Sequence, residues 1–151
     1  MSAAEIGEAL GVYSGTFVVC FLAGLIPLIN AELWLIAVTL MLASPAGLPA
    51  IVVLAALGQM VAKILLYYAA LGAVKLPGLD KRIARARAQI DRWRDRPRWV
   101  LWASATLGLP PFYIISLLAG ALEIRLRTFC VIGMTGRLLR FSALVALCWL
   151  Y

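Results

Sequence analysis

Charge is absent from long stretches of this chain. Residues 9 to 31 carry none, Glu32 follows, and residues 33 to 62 again carry none until Lys63. A helix that crosses a membrane needs about 20 apolar residues rising about 1.5 Å each. A single helix over residues 12 to 43 would run to about 48 Å, well beyond a hydrocarbon layer of about 30 Å. The pattern therefore predicts a break. The stretch Ile26-Pro27-Leu28-Ile29-Asn30-Ala31-Glu32 supplies it, because Pro27 removes a backbone donor and Asn30 and Glu32 gather polar groups. The arm that follows, residues 33 to 43, is only about 16 Å long and cannot cross alone. The expected form is a re-entrant hairpin that enters and leaves on one side, with Glu32 near its tip. Residues 44 to 49 then read as a turn, and residues 50 to 72 as a spanning helix.

The second half repeats the plan. Residues 99 to 122 are free of charge, are broken by Gly108-Leu109-Pro110-Pro111, and are followed by Glu123, Arg125 and Arg127. By length alone they fit either one tilted, proline-kinked crossing or a second hairpin. The hairpin keeps Arg125 and Arg127 on the same side as the other arginines, which the retention of short basic loops on the cytoplasmic side favours. Residues 128 to 150 form the last predicted spanning helix. Hairpin and helix over 12–72, then hairpin and helix over 99–150, make an inverted repeat, the plan of many transporters whose broken helices meet near the midplane.

Composition agrees with this reading: 64% of the 151 residues are hydrophobic and 14% charged, where a soluble domain runs to about half and a quarter. The formal charge of +7 is concentrated at Lys75, Lys81, Arg82, Arg85, Arg87, Arg92, Arg94, Arg96 and Arg98, against Asp80, Asp91 and Asp95. Within 75–98, Pro77 and Asp80 suit a helix start and Pro97 a stop, while Ile83, Ala86, Ile90 and Trp93 recur at spacings of three and four. An amphipathic helix lying on the anionic cytoplasmic leaflet is expected there. Nucleic acid is not an expected partner, since no stacking platform or recognition fold accompanies the charge. The fold class expected is thus an all-α membrane protein, one integral domain over 1–151. The first eleven residues carry Glu5 and Glu8 and no basic residue, so they lack the flank of a secretory signal.

Histidine is absent, which removes imidazole bases and histidine-ligated metals. Cys20, Cys130 and Cys148 are far apart in apolar surroundings and read as packed thiols. No metal site and no cofactor are expected. Neither is an enzyme, as no Ser-His-Asp set, P-loop or Rossmann glycine pattern is present. The candidate chemistry lies in four ions within the hydrophobic segments: Glu32, Lys63, Arg137 and Arg140. Each costs at least about 2.5 kcal/mol at mid-bilayer on insertion scales and should face a partner or a wet cavity. Arg137 and Arg140 share one helical face. Three cations against one carboxylate call for an anion, and a phosphate suits the guanidinium fork and the lysine point charge. Glu32 reads as a counter-ion to Arg137, Arg140 or Lys63, or as a proton-coupling carboxylate. The arginines read as phosphate ligands or as a packing network, and Lys63 as a third ligand or a packing and ion-pairing residue.

These residues resemble a known family. Ile26-Pro27 with Glu32, Gly58 through Tyr67 to Gly72, Pro110-Pro111-Phe112 with Ala119-Gly120 and Phe129, and Gly136-Arg137 with Arg140 are similar in order and spacing, over residues 22 to 145, to the DedA family. That family is also called the VTT-domain or SNARE-associated Golgi protein family. The resemblance implies two opposed re-entrant hairpins, residence in a bacterial inner membrane with 75–98 cytoplasmic, and movement of lipids between leaflets, in some members driven by the proton gradient. Polyprenyl phosphate or phospholipid would be the substrate, so lipids with anionic headgroups are the expected partners, and the short chain suits a homodimer. By position Glu32 is similar to the family's functional hairpin glutamate, and Arg137 and Arg140 to its late arginines. Gln59 and Lys63 stand where many members carry an acidic residue, and Phe112 and Tyr113 where many carry an arginine. Two rival expectations are a small-solute, drug or ion exporter on the same scaffold, and a non-transporting membrane scaffold acting through its basic helix.

Overall fold

The structure is a computed structural model that describes residues 3–42, 45–73, 97–108 and 111–150. Among these residues there is no strand. The helices are α1 (Ala3–Leu25), α2 (Ala31–Met41), α3 (Leu48–Ala73, after a 3-10 turn at Pro45–Gly47), α4 (Pro97–Leu107), α5 (Phe112–Ala121) and α6 (Leu126–Leu150). Two of them, over Pro45–Gly72 and Leu126–Leu150, are long and apolar enough to cross a membrane, whereas α2, α4 and α5 are each about 15 to 16 Å long and are not. The amphipathic helix expected over 75–98 lies, up to residue 96, outside the described residues. Pro97 opens α4, because the first turn of a helix needs no donor from it. The first helix also begins at Ala3, nine residues ahead of the expected start, through strong helix formers such as Ala3, Ala4, Glu5 and Glu8.

Both expected breaks are present, and each is closed by local chemistry. After Leu25 the chain turns through Ile29 N–H to Ile26 C=O at 3.1 Å, and Pro27 offers no donor to prolong α1. Asn30 then caps α2: its side-chain oxygen accepts from the N–H groups of Glu32 at 2.9 Å and Leu33 at 3.4 Å. At the second break α4 ends on Gly108, whose φ of 77° is a left-handed conformation open to glycine, with its N–H donating to Ser104 C=O at 3.0 Å. Pro111 precedes α5. The end of α5 closes differently, with Ile124 N–H donating to Ala119 C=O and Glu123 N–H to Gly120 C=O, the double bond pattern of a Schellman cap. The left-handed position of that cap is held by Glu123 at φ 54°.

The chain forms two compact units, residues 1–62 with 138–151, and residues 63–137. In the first, α1 and α2 pack on each other across their break, and Trp34 Nε1 donates to Thr16 Oγ1 at 3.1 Å. Helix α3 approaches α1 until a Cβ on Gly58 would lie 2.5 Å from Phe17 C=O. Cys20, Leu35, Ile51, Ala55 and Phe141 are fully enclosed in this unit. In the second, α4 and α5 pack on each other around Leu101, Ala105, Ile115, Ala119 and Phe129. A Cβ on Gly120 would come to 2.1 Å from Tyr67 C=O. Contacts this close leave room only for a hydrogen, as between helices packed through small residues. Outward, Val53, Leu57, Val61 and Leu65 form an exposed stripe at four-residue spacing on α3, while Thr16, Thr39, Gln59, Lys63, Ser104, Ser116 and Arg137 are buried. An apolar surface stripe with ions turned inward beside an apolar core suits a lipid solvent.

Two stability tests follow. Gly58→Ala should destabilise the protein by about 1 to 3 kcal/mol through overpacking, whereas Gly11→Ala, with open space around its Cβ, should gain about 0.5 to 1 kcal/mol. Glu123→Gly should stabilise by about 1 kcal/mol by relieving the left-handed strain. Unfolding of each variant in detergent, followed by helical circular dichroism, measures all three.

Candidate functional site

The four candidate ions of the apolar segments fall into two clusters, one in each unit. In the first unit Glu32 is the second residue of α2, in the turn capped by Asn30, and its Oε1 accepts from Nη2 of Arg140 on α6. The partners are 108 residues apart in sequence. Their side chains remain 35% and 32% exposed, so this ion pair is open to a third group. A carboxylate at the start of a helix also gains from the dipole.

In the second unit Lys63 and Arg137 are buried, and each cation lies over an aromatic ring. Lys63 Nζ is 5.3 Å from the ring centre of Tyr113, and Arg137 Cζ is 4.8 Å from that of Phe112. Phe112 stacks on Phe129, which stacks on Tyr67, at ring-centre distances of 5.8 and 5.4 Å. The hydroxyl of Tyr67 donates to Ile124 C=O at 2.6 Å, tying the stack to the turn beyond α5. A desolvated cation–ring contact contributes about 2 kcal/mol. The aromatic contribution was the part that charge-counting missed. The adjacent rings of Phe112 and Tyr113 were the available signal.

The two halves hold their ions at matching positions. Glu32 and Tyr113 are each the second residue of the short helix after a break. The cations that meet them, Arg140 and Lys63, lie fourteen and fifteen residues after the first residues of α6 and α3. Ala31, Leu35, Val38 and Thr39 are buried on α2, and Phe112, Ser116, Ala119 and Gly120 recur in the same phase on α5. Gly58 and Gly136 each stand ten residues into their long helix. Each is pressed against the first helix of its own half, Gly136 with a Cβ position 2.5 Å from Ala105 Cβ.

Of the expected break residues, Pro27 and Asn30 act as described, Pro111 precedes α5, and Pro110 lies outside the described residues. Gln59, next to Gly58, is buried, and its Oε1 has no hydrogen-bond partner among the described residues. Among those residues no three or more histidine, cysteine or acidic side chains gather as metal ligands. Compared with known proteins, the chain matches no family model, no curated protein and no solved structure. Its class is therefore defined by its own structure: an all-helical protein with two helices long and apolar enough to cross a membrane.

A charge-swap cycle tests the first cluster. Glu32→Arg and Arg140→Glu should each destabilise, and the double swap should recover a coupling of about 1 to 3 kcal/mol. Additive losses in detergent unfolding would mean that the two groups do not interact.

Proposed function

We propose that this chain is an integral membrane protein that carries phosphate-bearing lipid headgroups between leaflets, in the manner of the DedA proteins it resembles. The observation that carries the reading is the repeated placement of a cation from a long apolar helix against the first turn of a short, broken one: Arg140 at Glu32, and Lys63 at Tyr113. An apolar helix accepts an ion only with compensation, and intramembrane ions of this kind mark substrate or ion pathways. Broken helices that begin inside a membrane are the usual sites of substrate recognition in secondary transporters.

The chemistry favours an anion. Arg137 and Arg140 offer planar forks that bind phosphate oxygens two at a time, and Lys63 adds a point charge. Glu32 serves as the counter-ion that a headgroup phosphate displaces from Arg140. Its partial exposure leaves room for that exchange. The cationic surplus opposes cationic solutes, which ranks the drug or ion exporter second. The matching positions of the two halves support an inverted repeat, with 12–43 and 99–122 as re-entrant hairpins. Under this topology Ala46 faces the outside and Arg125 the cytoplasm of a bacterial inner membrane.

Leaflet exchange of labelled phospholipid and labelled polyprenyl phosphate, in vesicles holding the purified chain, tests the function. Exchange should exceed that of empty vesicles for at least one lipid. Arg140→Ala and Arg137→Ala should each slow it by about tenfold or more, the equivalent of one charge-assisted hydrogen bond. Rates equal to empty vesicles for both lipids would reject lipid transport. Cysteines introduced at Ala46 and Arg125 and labelled from each side test the topology, and Arg125 labelled from outside would remove the inverted repeat.

A further inference from the structure

Away from those clusters, the start of α4 and the first two turns of α6 enclose a cleft of about 380 Å³ lined by Arg98, Leu101, Ile124, Arg125, Thr128 and Ile132. A neighbouring cleft of about 370 Å³ shares Arg98, Thr128 and Ile132 and adds Arg127 and Val131. Arg98, Arg125 and Arg127 thus line two adjoining clefts within the second unit, with Arg98 common to both. Among the described residues none of the three is paired with a carboxylate. Cationic side chains on adjoining clefts without a carboxylate partner favour an anion with several oxygens.

The rest of the lining specifies more than charge. Phe129 N–H bonds Arg125 C=O, so the N–H groups of Leu126, Arg127 and Thr128 stand ahead of the helical ladder at a positive helix end. Thr128 is a further polar residue of the lining. The clefts are also lined by the apolar Leu101, Val131 and Ile132, which free phosphate would not use. Trp99 and Trp102 are exposed on α4, edge to face with ring centres 6.4 Å apart, as aromatic residues are at a membrane–water boundary. The volume lies in the range of small-ligand pockets, about 300 to 1,000 Å³.

We infer that this arginine-lined cleft binds the phosphate of a membrane lipid headgroup at the water boundary, with the lipid's apolar stem along Val131 and Ile132. The site is distinct from the ions on the broken helices. It rests on the membrane placement of α6 and not on lipid exchange, so it holds or fails by an equilibrium measurement.

The test is native mass spectrometry of the full chain in detergent, titrated with phosphatidic acid, phosphatidylglycerol and phosphatidylcholine, with inorganic phosphate followed separately by calorimetry. The two anionic lipids should bind more tightly than phosphatidylcholine, and the preference should weaken with salt. Combined Arg98→Gln, Arg125→Gln and Arg127→Gln should lower anionic-lipid affinity by about a thousandfold, and each single change by about tenfold, at one charge-assisted hydrogen bond per guanidinium. The single variants decide the matter if the triple variant loses its helical circular dichroism. Undiminished anionic-lipid binding in the arginine variants would overturn the inference. So would loss of that binding in Arg137→Ala or Arg140→Ala with the cleft intact. Inorganic phosphate binding as tightly as the lipids would assign the cleft to a free anion instead. Lipid binding through the cleft without any leaflet exchange would uphold this inference while the transport reading fails.

Discussion

An ion placed within an apolar helical layer must recover at least about 2.5 kcal/mol of lost hydration. This chain meets that requirement by bringing its few buried or half-buried ions to aromatic rings or to an opposite charge. Arg140 meets Glu32, Arg137 meets Phe112, and Lys63 meets Tyr113. Each contact needs a side chain at the start of a short helix. The breaks in α1–α2 and α4–α5 are therefore the condition for the ions to be there at all, and not interruptions of an otherwise continuous span.

The breaks in turn depend on backbone chemistry. A helix end inside an apolar layer exposes N–H and C=O groups that water cannot reach. Asn30 answers for the start of α2, and Gly108 for the end of α4. The Schellman cap at Glu123 answers for the end of α5. Glycines then let helices approach closely: Gly58 against α1, Gly120 of α5 against α3, and Gly136 against α4. Enlarging any of these would move a helix and, with it, an ion.

The two halves use one arrangement with different chemistry. Where the first sets an arginine against a carboxylate, the second sets a lysine against a phenol ring and an arginine against a phenyl ring. A carboxylate in water-accessible surroundings can release its arginine to a competing anion, whereas a ring holds a cation without neutralising it. On the proposed function, the first cluster is the exchangeable one and the second keeps positive charge in place.

Much of the architecture was legible in local sequence. Proline and asparagine at 27 and 30, and the glycine-to-proline run at 108–111, marked both breaks, and uncharged runs marked the two long helices to within two residues of their observed ends. These are properties of neighbouring residues: a missing donor, a capping side chain, a run of apolar transfer energies. The start of α1 at Ala3 was not legible, because helix propagation through acidic and small residues needs no apolar run. Nor was the left-handed Glu123, which the cap imposes against its own preference. The choice of partner for each ion was beyond the sequence, which left Arg137, Arg140 and Lys63 all open to Glu32. Nothing near Glu32 names Arg140 across 108 residues, and nothing in a charge count names the rings beneath Lys63 and Arg137. Those choices belong to the tertiary structure, because long-range electrostatic and ring contacts form only once the packed helices fix which side chains share a neighbourhood.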